Sequence, residues 1–133
     1  MTMIEDAIGF ATDTHREQTD KQGLPYILHP IQVLARVQEQ YPTNDVLHVV
    51  AVLHDVVEDS DLFVDHIVRL YGQEVGDLID ALTRRDRESY ANYIVRISRS
   101  DPRAAVVKLA DLDHNTSPHR IGILNGMQIR RYE

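Results

Sequence analysis

Residues 46–57 read VLHVVAVLHDVV, and the fold of the chain turns on how this stretch is read. It is apolar almost all the way round, which marks an element buried in the middle of a molecule rather than an amphipathic one at its surface. Its valines suit a buried strand as well as a helix, and periodicity alone does not separate the two. Length favours the helix, because buried strands usually run about 4–8 residues. Just ahead of it, Tyr41-Pro42-Thr43-Asn44 breaks the preceding element and supplies cap residues for the one that follows.

Working outward, residues 3–18 carry Ile4, Ala7, Ile8 and Ala11 at three- and four-residue spacing, which predicts a helix. Residues 20–25 contain Gly23 and Pro25 and read as a loop. Pro30 suits the first position of the next helix, with Ile31, Leu34 and Ala35 on one side. Beyond the central stretch, Ser60 or Asp61 caps a helix to about Tyr71, and Gly72 ends it. Residues 74–82 and 90–97 are two more amphipathic pieces. Ser100-Asp101-Pro102 is a helix start, a cap residue followed by proline at the first helical position. That helix runs to about Asn115, and Pro118 marks a break after it. Residues 121–133, with Gly122 and Gly126, give an ambiguous reading. No stretch shows period-two alternation. The expectation is an all-α bundle of seven or eight helices, one domain over residues 1–133. The rival is an α/β fold with residues 46–53 and 104–110 as parallel strands. It ranks second because the start signals sit at helix distance from both.

Composition narrows the function classes. A chain of 133 residues with 43% hydrophobic residues can bury a core. The absence of cysteine excludes disulfides, thiolate zinc sites and cysteine nucleophiles. Residues 1–20 carry charges throughout, unlike a signal peptide, and no apolar run reaches the ~18 residues of a membrane span. A soluble, cytoplasmic protein is expected. The formal net charge of −7 argues against a nucleic-acid partner. An acidic protein that handles phosphate needs a local positive charge, and a bound metal ion is the obvious source.

The anomaly in the central stretch is His54-Asp55, followed by Glu58 and Asp59. On a helix, Glu58 stacks over His54 and Asp59 over Asp55. Three carboxylates and an imidazole then share one edge of a core element. Buried charges are usually paired or bound to metal, and crowded carboxylates do not all ionise cheaply. A divalent cation resolves that repulsion. A second polar cluster closes the apolar residues 104–110, which are interrupted only by Lys108: Asp111, then Asp113, His114 and Asn115. His29 stands directly before Pro30. Each feature alone has a plainer reading: a hydrogen-bonded His-Asp pair, a solvated helix end, a loop histidine. Together, two histidines and two aspartates form a donor set suited to manganese, iron, zinc or similar ions.

Three strings carry a resemblance. They are Pro25-Tyr26-Ile27-Leu28-His29-Pro30, then Leu53-His54-Asp55-Val56-Val57-Glu58-Asp59, then Val107-Lys108-Leu109-Ala110-Asp111 with His114-Asn115. In this order they resemble the HD superfamily of metal-dependent phosphohydrolases. More narrowly, they resemble the hydrolase domain of Rel/Spo-type stringent-response enzymes and small alarmone hydrolases. The resemblance covers about residues 7–117. It implies an all-helical fold and one divalent metal ion held by His29, His54, Asp55 and Asp111. Manganese is the usual ion, with iron, nickel, cobalt or zinc as substitutes. It gives Glu58 and Asp59 the task of orienting or deprotonating the attacking water. Asn115 is similar to a substrate-contacting asparagine, and Lys21 falls where the family has a basic residue near the nucleotide. The reaction it implies is removal of the 3′-pyrophosphate from guanosine tetra- and pentaphosphate. The departures fall on the substrate side: Asp20 stands where the family commonly has arginine, and Leu112-Asp113 where it often has Arg-Leu.

The partner expected is therefore a small phosphorylated nucleotide; a homodimer is compatible with this reading, a nucleic acid or membrane partner is not. Arg84 and Arg85 are candidates for holding phosphate oxygens, against a plainer reading as solvated loop charges. His15, His48, His66 and His119 are read as surface or structural, although His48, seven residues before Asp55, could approach the site edge. Tyr26, Tyr90 and Tyr93 could stack on a base, with core packing ranked first. Two other functions stay open: a phosphatase for another nucleotide, such as a nucleoside monophosphate or phosphorylated dinucleotide, and a non-catalytic sensor that binds a nucleotide.

Overall fold

The computed structural model describes residues 2–117. These form seven helices: α1 (Met3–Thr14), α2 (Leu28–Gln40), α3 (Asp45–Leu53), α4 (Val64–Tyr71), α5 (Gln73–Leu82), α6 (Tyr90–Ser98) and α7 (Pro102–Asn115). Among the described residues the β-type pairing is a single isolated bridge between Thr19 and Pro25. Both stretches that a parallel sheet would have needed, 46–53 and 104–110, are helical. Pro118, His119 and residues 121–133 lie outside the described residues. No helix among the described residues is long and apolar enough to cross a membrane.

Helix α3 is the central element. Leu47, Val49, Val50, Ala51, Val52 and Leu53 are all buried. An all-round apolar helix needs neighbours on every side, and α1, α2, α5 and α7 surround it. Asn44 caps its start by accepting a hydrogen bond from the Leu47 N–H at 3.1 Å. Each fully buried Val or Leu side chain contributes roughly 1.5–3 kcal/mol, and α3 places more buried apolar side chains in the core than any other described helix.

The boundaries differ from the sequence expectation in four places, each with a local cause. Helix α3 stops at Leu53, and residues 54–59 continue as turns. Here the His54 side chain donates from Nδ1 to the Ala51 carbonyl at 2.7 Å. The Val56 N–H bonds the Leu53 carbonyl at 3.1 Å, a tighter i to i+3 closure. The Asp59 N–H still reaches the Asp55 carbonyl at 3.0 Å, which keeps Glu58 and Asp59 one turn beyond His54 and Asp55. Helix α1 ends at Thr14, not at residue 18, because the Gln18 N–H turns back to the His15 carbonyl at 3.0 Å. Helix α2 starts at Leu28, two residues before Pro30; in a first turn the missing proline N–H breaks no helical bond. Helix α4 starts at Val64 because Ser60 closes a turn instead of capping. Its Oγ accepts from the Leu62 N–H at 3.1 Å and donates to the Val56 carbonyl.

Helices α4 and α5 meet at Gly72, which ends one and caps the other at φ 96° and ψ 169°. Only glycine adopts this backbone without strain. The two helices then press together at Gly76, where an added Cβ would overlap the Val68 side chain. Gly76→Ala therefore overpacks the α4–α5 contact by about 1–3 kcal/mol, more than the ~1 kcal/mol gain in helix propensity returns. The expected result is a melting temperature lower by roughly 5 °C, largely recovered when Val68→Ala is added. Equal melting temperatures for Gly76→Ala and the native chain would show that the two helices separate at no cost.

Candidate functional site

Three segments deliver the polar side chains of the sequence motifs to one point. His29 comes from the first turn of α2, His54 and Asp55 from the turn that follows α3, and Asp111 from α7. One nitrogen or oxygen from each lies within 4.8 Å of the others. His29 Nε2 is 2.7 Å from Asp111 Oδ1 and 3.9 Å from Asp55 Oδ2. His54 Nε2 is 3.1 Å from Asp55 Oδ2 and 3.3 Å from Asp111 Oδ1. His29, His54 and Asp111 are 3–5% exposed, so the cluster sits at the floor of the site.

Its electrostatics are those of a site built around positive charge. Burial raises the Asp55 carboxyl, but the His54 charge and hydrogen bond override it and hold Asp55 down at about 2. Asp111 lies well below the usual carboxylate range: burial opposes this, and hydrogen bonds from His29 and His54 outweigh it. Burial disfavours the His54 imidazolium, yet Asp55 and Asp111 raise it well above its ordinary value. His54 commits its Nδ1 hydrogen to the Ala51 carbonyl. A neutral His54 would thus aim the lone pair of Nε2 at two carboxylate oxygens. Either a proton or a cation must stand between them.

Around this floor lies a cavity of about 240 Å³. Glu58, Asp59, Arg84, Tyr90, Lys108 and Asn115 contribute to its wall. Tyr26 donates its hydroxyl to Asp55 Oδ2 at 2.6 Å, and burial followed by the nearby carboxylates keeps that hydroxyl protonated. Lys108 Nζ donates to Asp111 Oδ2 at 2.8 Å and lies over the Tyr90 and Tyr93 rings, 5.7 and 5.2 Å from their centroids. Asn115 Nδ2 donates to Asp111 Oδ1 at 3.2 Å. Glu58 Oε1 accepts the Arg84 backbone N–H at 2.5 Å, which fixes it at the lip of the cavity.

Residues 7–116 match the HD domain family. The chain belongs to that family. It is 32% identical over 115 residues to the guanosine-3′,5′-bis(diphosphate) 3′-pyrophosphohydrolase of Aquifex aeolicus, covering 81% of this chain and 16% of that protein. It is 31% identical over 123 residues to the bifunctional (p)ppGpp synthase/hydrolase SpoT of Escherichia coli, covering 84% of this chain and 17% of that protein. The chain thus spans about a sixth of the length of these curated relatives. Among solved structures it resembles a metazoan ortholog of SpoT that hydrolyzes ppGpp, with a TM-score of 0.82 and 25% identity over 99% of this chain and 82% of the other.

An HD domain implies a divalent metal ion, and the residues present fit one. Donors bound to a common ion at ~2.0–2.2 Å lie roughly 3–4 Å apart; the four donor atoms here lie within 4.8 Å of one another, the tightest pair being His29 Nε2 and Asp111 Oδ1 at 2.7 Å. The outer nitrogens are also engaged, Nδ1 of His54 on a carbonyl and Nδ1 of His29 on His114 at 2.7 Å, which leaves both Nε2 atoms facing the centre.

The other sequence candidates of this HD domain distribute unevenly. Asn115 and Arg84 line the cavity, and Arg84 also donates from Nε to the Glu88 carbonyl at 2.9 Å. Lys21 is exposed in the loop ahead of α2 and is not among the lining residues. Arg85 is held away on Asp80 and the Thr83 carbonyl. His48 is tied to the Tyr41 carbonyl at 2.7 Å and takes no part in the cavity wall. His15 is buried and structural, with its Nδ1 2.8 Å from Gln18 Oε1 and its ring 4.9 Å from that of Tyr26. It backs the tyrosine that holds Asp55. Lys108 was not singled out from sequence as a site residue. Its signal was there: one cation in an otherwise apolar run, three residues before Asp111.

Glu58 and Asp59 sit above their ordinary values. Partial burial is the main cause for both; Asp55 adds to it, and Glu58 further raises Asp59, to about 7. The sign for stability follows. A carboxyl raised on folding favours the folded state below its unfolded value of 3.8, and that contribution is lost as pH rises through about 7. Metal-free Asp59→Asn is therefore expected to melt with the native chain at pH 4 and above it at pH 8. Because Asp59 is solvent-accessible, screening limits the gain to about 1 kcal/mol, or ~4 °C. A difference that did not change between the two pH values would rule out the strained carboxylate.

Proposed function

We propose that this chain is a metal-dependent phosphohydrolase that removes the 3′-pyrophosphate from guanosine 3′,5′-bis(diphosphate)-type nucleotides, with residues 1–133 as one domain. The observation that carries the reading is the largely buried two-histidine, two-aspartate cluster at the floor of a cavity whose wall holds both acids and cations. The names of the relatives support the substrate class. His29, His54, Asp55 and Asp111 are assigned as ligands of one divalent ion, a donor set suited to manganese, iron or zinc, with manganese put first because it is the usual ion of the enzymes that the sequence resembles. When bound, the ion supplies a Lewis acid and lowers the pKa of a water molecule from ~15.7 toward ~7.

The side chains divide the remaining work. Glu58, fixed through Oε1 by the Arg84 N–H, offers its second oxygen as general base, with Asp59 beside it. The water gives its proton to this acid pair and its oxygen to phosphorus. The bond between the 3′ oxygen and the diphosphate breaks, and the same acid returns the proton to the departing oxygen. Lys108 and Arg84 are the cations of the cavity wall and are assigned to non-bridging phosphate oxygens. Asn115 is assigned a substrate contact beside Asp111. Lys21 has no place in the cavity wall and is left without a contact there.

A second reading, a phosphatase for another nucleotide, is favoured by one observation. The base-proximal loop of the resemblance holds Asp20 next to an exposed Lys21 and contributes nothing to the cavity wall. A panel of phosphorylated nucleotides, incubated with manganese-loaded protein and read for both pyrophosphate and orthophosphate, separates the two. Pyrophosphate release from guanosine 3′,5′-bis(diphosphate) is the expected result; orthophosphate alone supports the second reading. Tight nucleotide binding with neither product would leave a non-catalytic sensor.

A further inference from the structure

We infer that His114 is a positioning residue that sets the tautomer of His29. This rests on the reading that His29 Nε2 ligates a cation. The two imidazoles lie nearly parallel, with centroids 5.0 Å apart and planes at 21°, and they face each other Nδ1 to Nδ1 at 2.7 Å. Both are buried, at 3% and 4% exposure. A nitrogen–nitrogen contact this short is a hydrogen bond only if one of the two atoms carries a hydrogen and the other a lone pair. The tautomers of the two rings are therefore not independent.

With both rings neutral, two arrangements satisfy the pair. In one, His29 carries its hydrogen on Nε2 and donates it to Asp111 Oδ1 at 2.7 Å. Its Nδ1 then accepts from Nδ1 of His114. In the other, His29 turns the lone pair of Nε2 toward the centre, as ligation demands, and carries its hydrogen on Nδ1. His114 Nδ1 must then be the acceptor, so His114 carries its hydrogen on Nε2. The interconversion balances without gain or loss of a proton: His114 Nδ1–H passes to His29 Nδ1, His29 gives up Nε2–H, and His114 takes up a hydrogen at Nε2.

The two metal-site histidines thus differ in kind. His54 is held by a backbone carbonyl, which can only accept, so its Nδ1 bears the hydrogen and its Nε2 is the nitrogen that faces the centre. His29 is held by a ring that can do either. Its readiness for the cation depends on an acceptor at position 114. That role falls to a residue next to Asn115 and three from Asp111, on the helix that supplies the aspartate itself.

The test reads cation binding rather than turnover. Isothermal titration of the purified 133-residue chain with Zn2+ and Mn2+ compares the native residue, His114→Leu and His114→Asn. Leucine removes the acceptor; asparagine restores one where Nδ1 stood. Affinity is expected to fall by about 10- to 100-fold in His114→Leu, the usual loss for an outer-shell partner, and to return to within a few-fold of native in His114→Asn. Long-range 15N NMR of the native chain supplies a measurement that needs no variant: His114 should be in its Nε2–H tautomer when Zn2+ is bound. Native binding with undiminished affinity in His114→Leu, or an Nδ1–H tautomer of His114 in the zinc-loaded protein, would overturn the inference and leave the metal centre standing. A native chain that binds neither ion would remove the metal centre and the inference with it.

Discussion

Asparagine in place of Asp111 is expected to abolish stoichiometric Mn2+ binding. Asp111 is the hub of the cluster: Oδ1 faces His29 Nε2, His54 Nε2 and the Asn115 amide, while Oδ2 takes the Lys108 ammonium. Asparagine keeps the size of the side chain and removes its charge. Loss of an outer-shell partner typically costs ~10- to 100-fold in metal affinity, so loss of a direct anionic donor should exceed about 1,000-fold, with turnover falling alongside. The change also leaves Lys108, only partly exposed, without its carboxylate, at a cost of about 2–3 kcal/mol to the folded state. Asp111→Asn combined with Lys108→Met removes that unpaired charge. The double variant is expected to recover thermal stability and still fail to bind the ion. Titration calorimetry and thermal melts on both variants check this. Native Mn2+ affinity in either one would take Asp111 out of the donor set.

Glutamine in place of Glu58 is expected to separate binding from chemistry. Glu58 lies at the lip of the cavity, three residues past Asp55, and is not part of the four-residue cluster. Glutamine can still accept the Arg84 N–H at its carbonyl oxygen, so the local turn should survive. What it loses is the ability to take a proton. A positioned general base contributes typically ~100- to 10,000-fold, and a fall of that size in kcat, with Mn2+ affinity near native, is the expected outcome of steady-state kinetics and calorimetry. Full turnover in Glu58→Gln would transfer the proton-accepting role to Asp59.

The helices were legible wherever a local signal coincided with burial. Asp101 and Pro102 start α7 as their residue types suggest, and Asp101 accepts from the Arg103 N–H at 2.9 Å. Gly72 ends α4 because its backbone is one that other residues avoid. Two of the four misjudged boundaries share a cause: a side chain bonds to the backbone and sets a turn where the sequence pattern points to helix or cap. His54 does so at the end of α3 and Ser60 ahead of α4. Periodicity records where apolar groups fall and carries no information about such local competition. The cavity wall divides in the same way. Asn115 shares a helix face with Asp111, which sequence spacing states directly. Lys108, three residues before Asp111, shares that face as well, whereas Tyr90 enters the wall through the packing of α6 on α7, which no spacing encodes.

By itself the sequence determined that residues 46–53 would be buried, since an element apolar on all sides has no stable place at a surface, and its length and start signals ranked helix above strand. It also determined which polar side chains would be too costly to bury without a partner. Only the tertiary structure decided that His29, His54, Asp55 and Asp111 meet, because that requires α2, α3 and α7 to cross at one depth and rotation. It alone paired His29 with His114, 85 residues apart in the chain. Spacing within a segment fixes which face a side chain shares. The meeting of faces from different segments depends on how the whole core packs, and that is a property of all its residues at once.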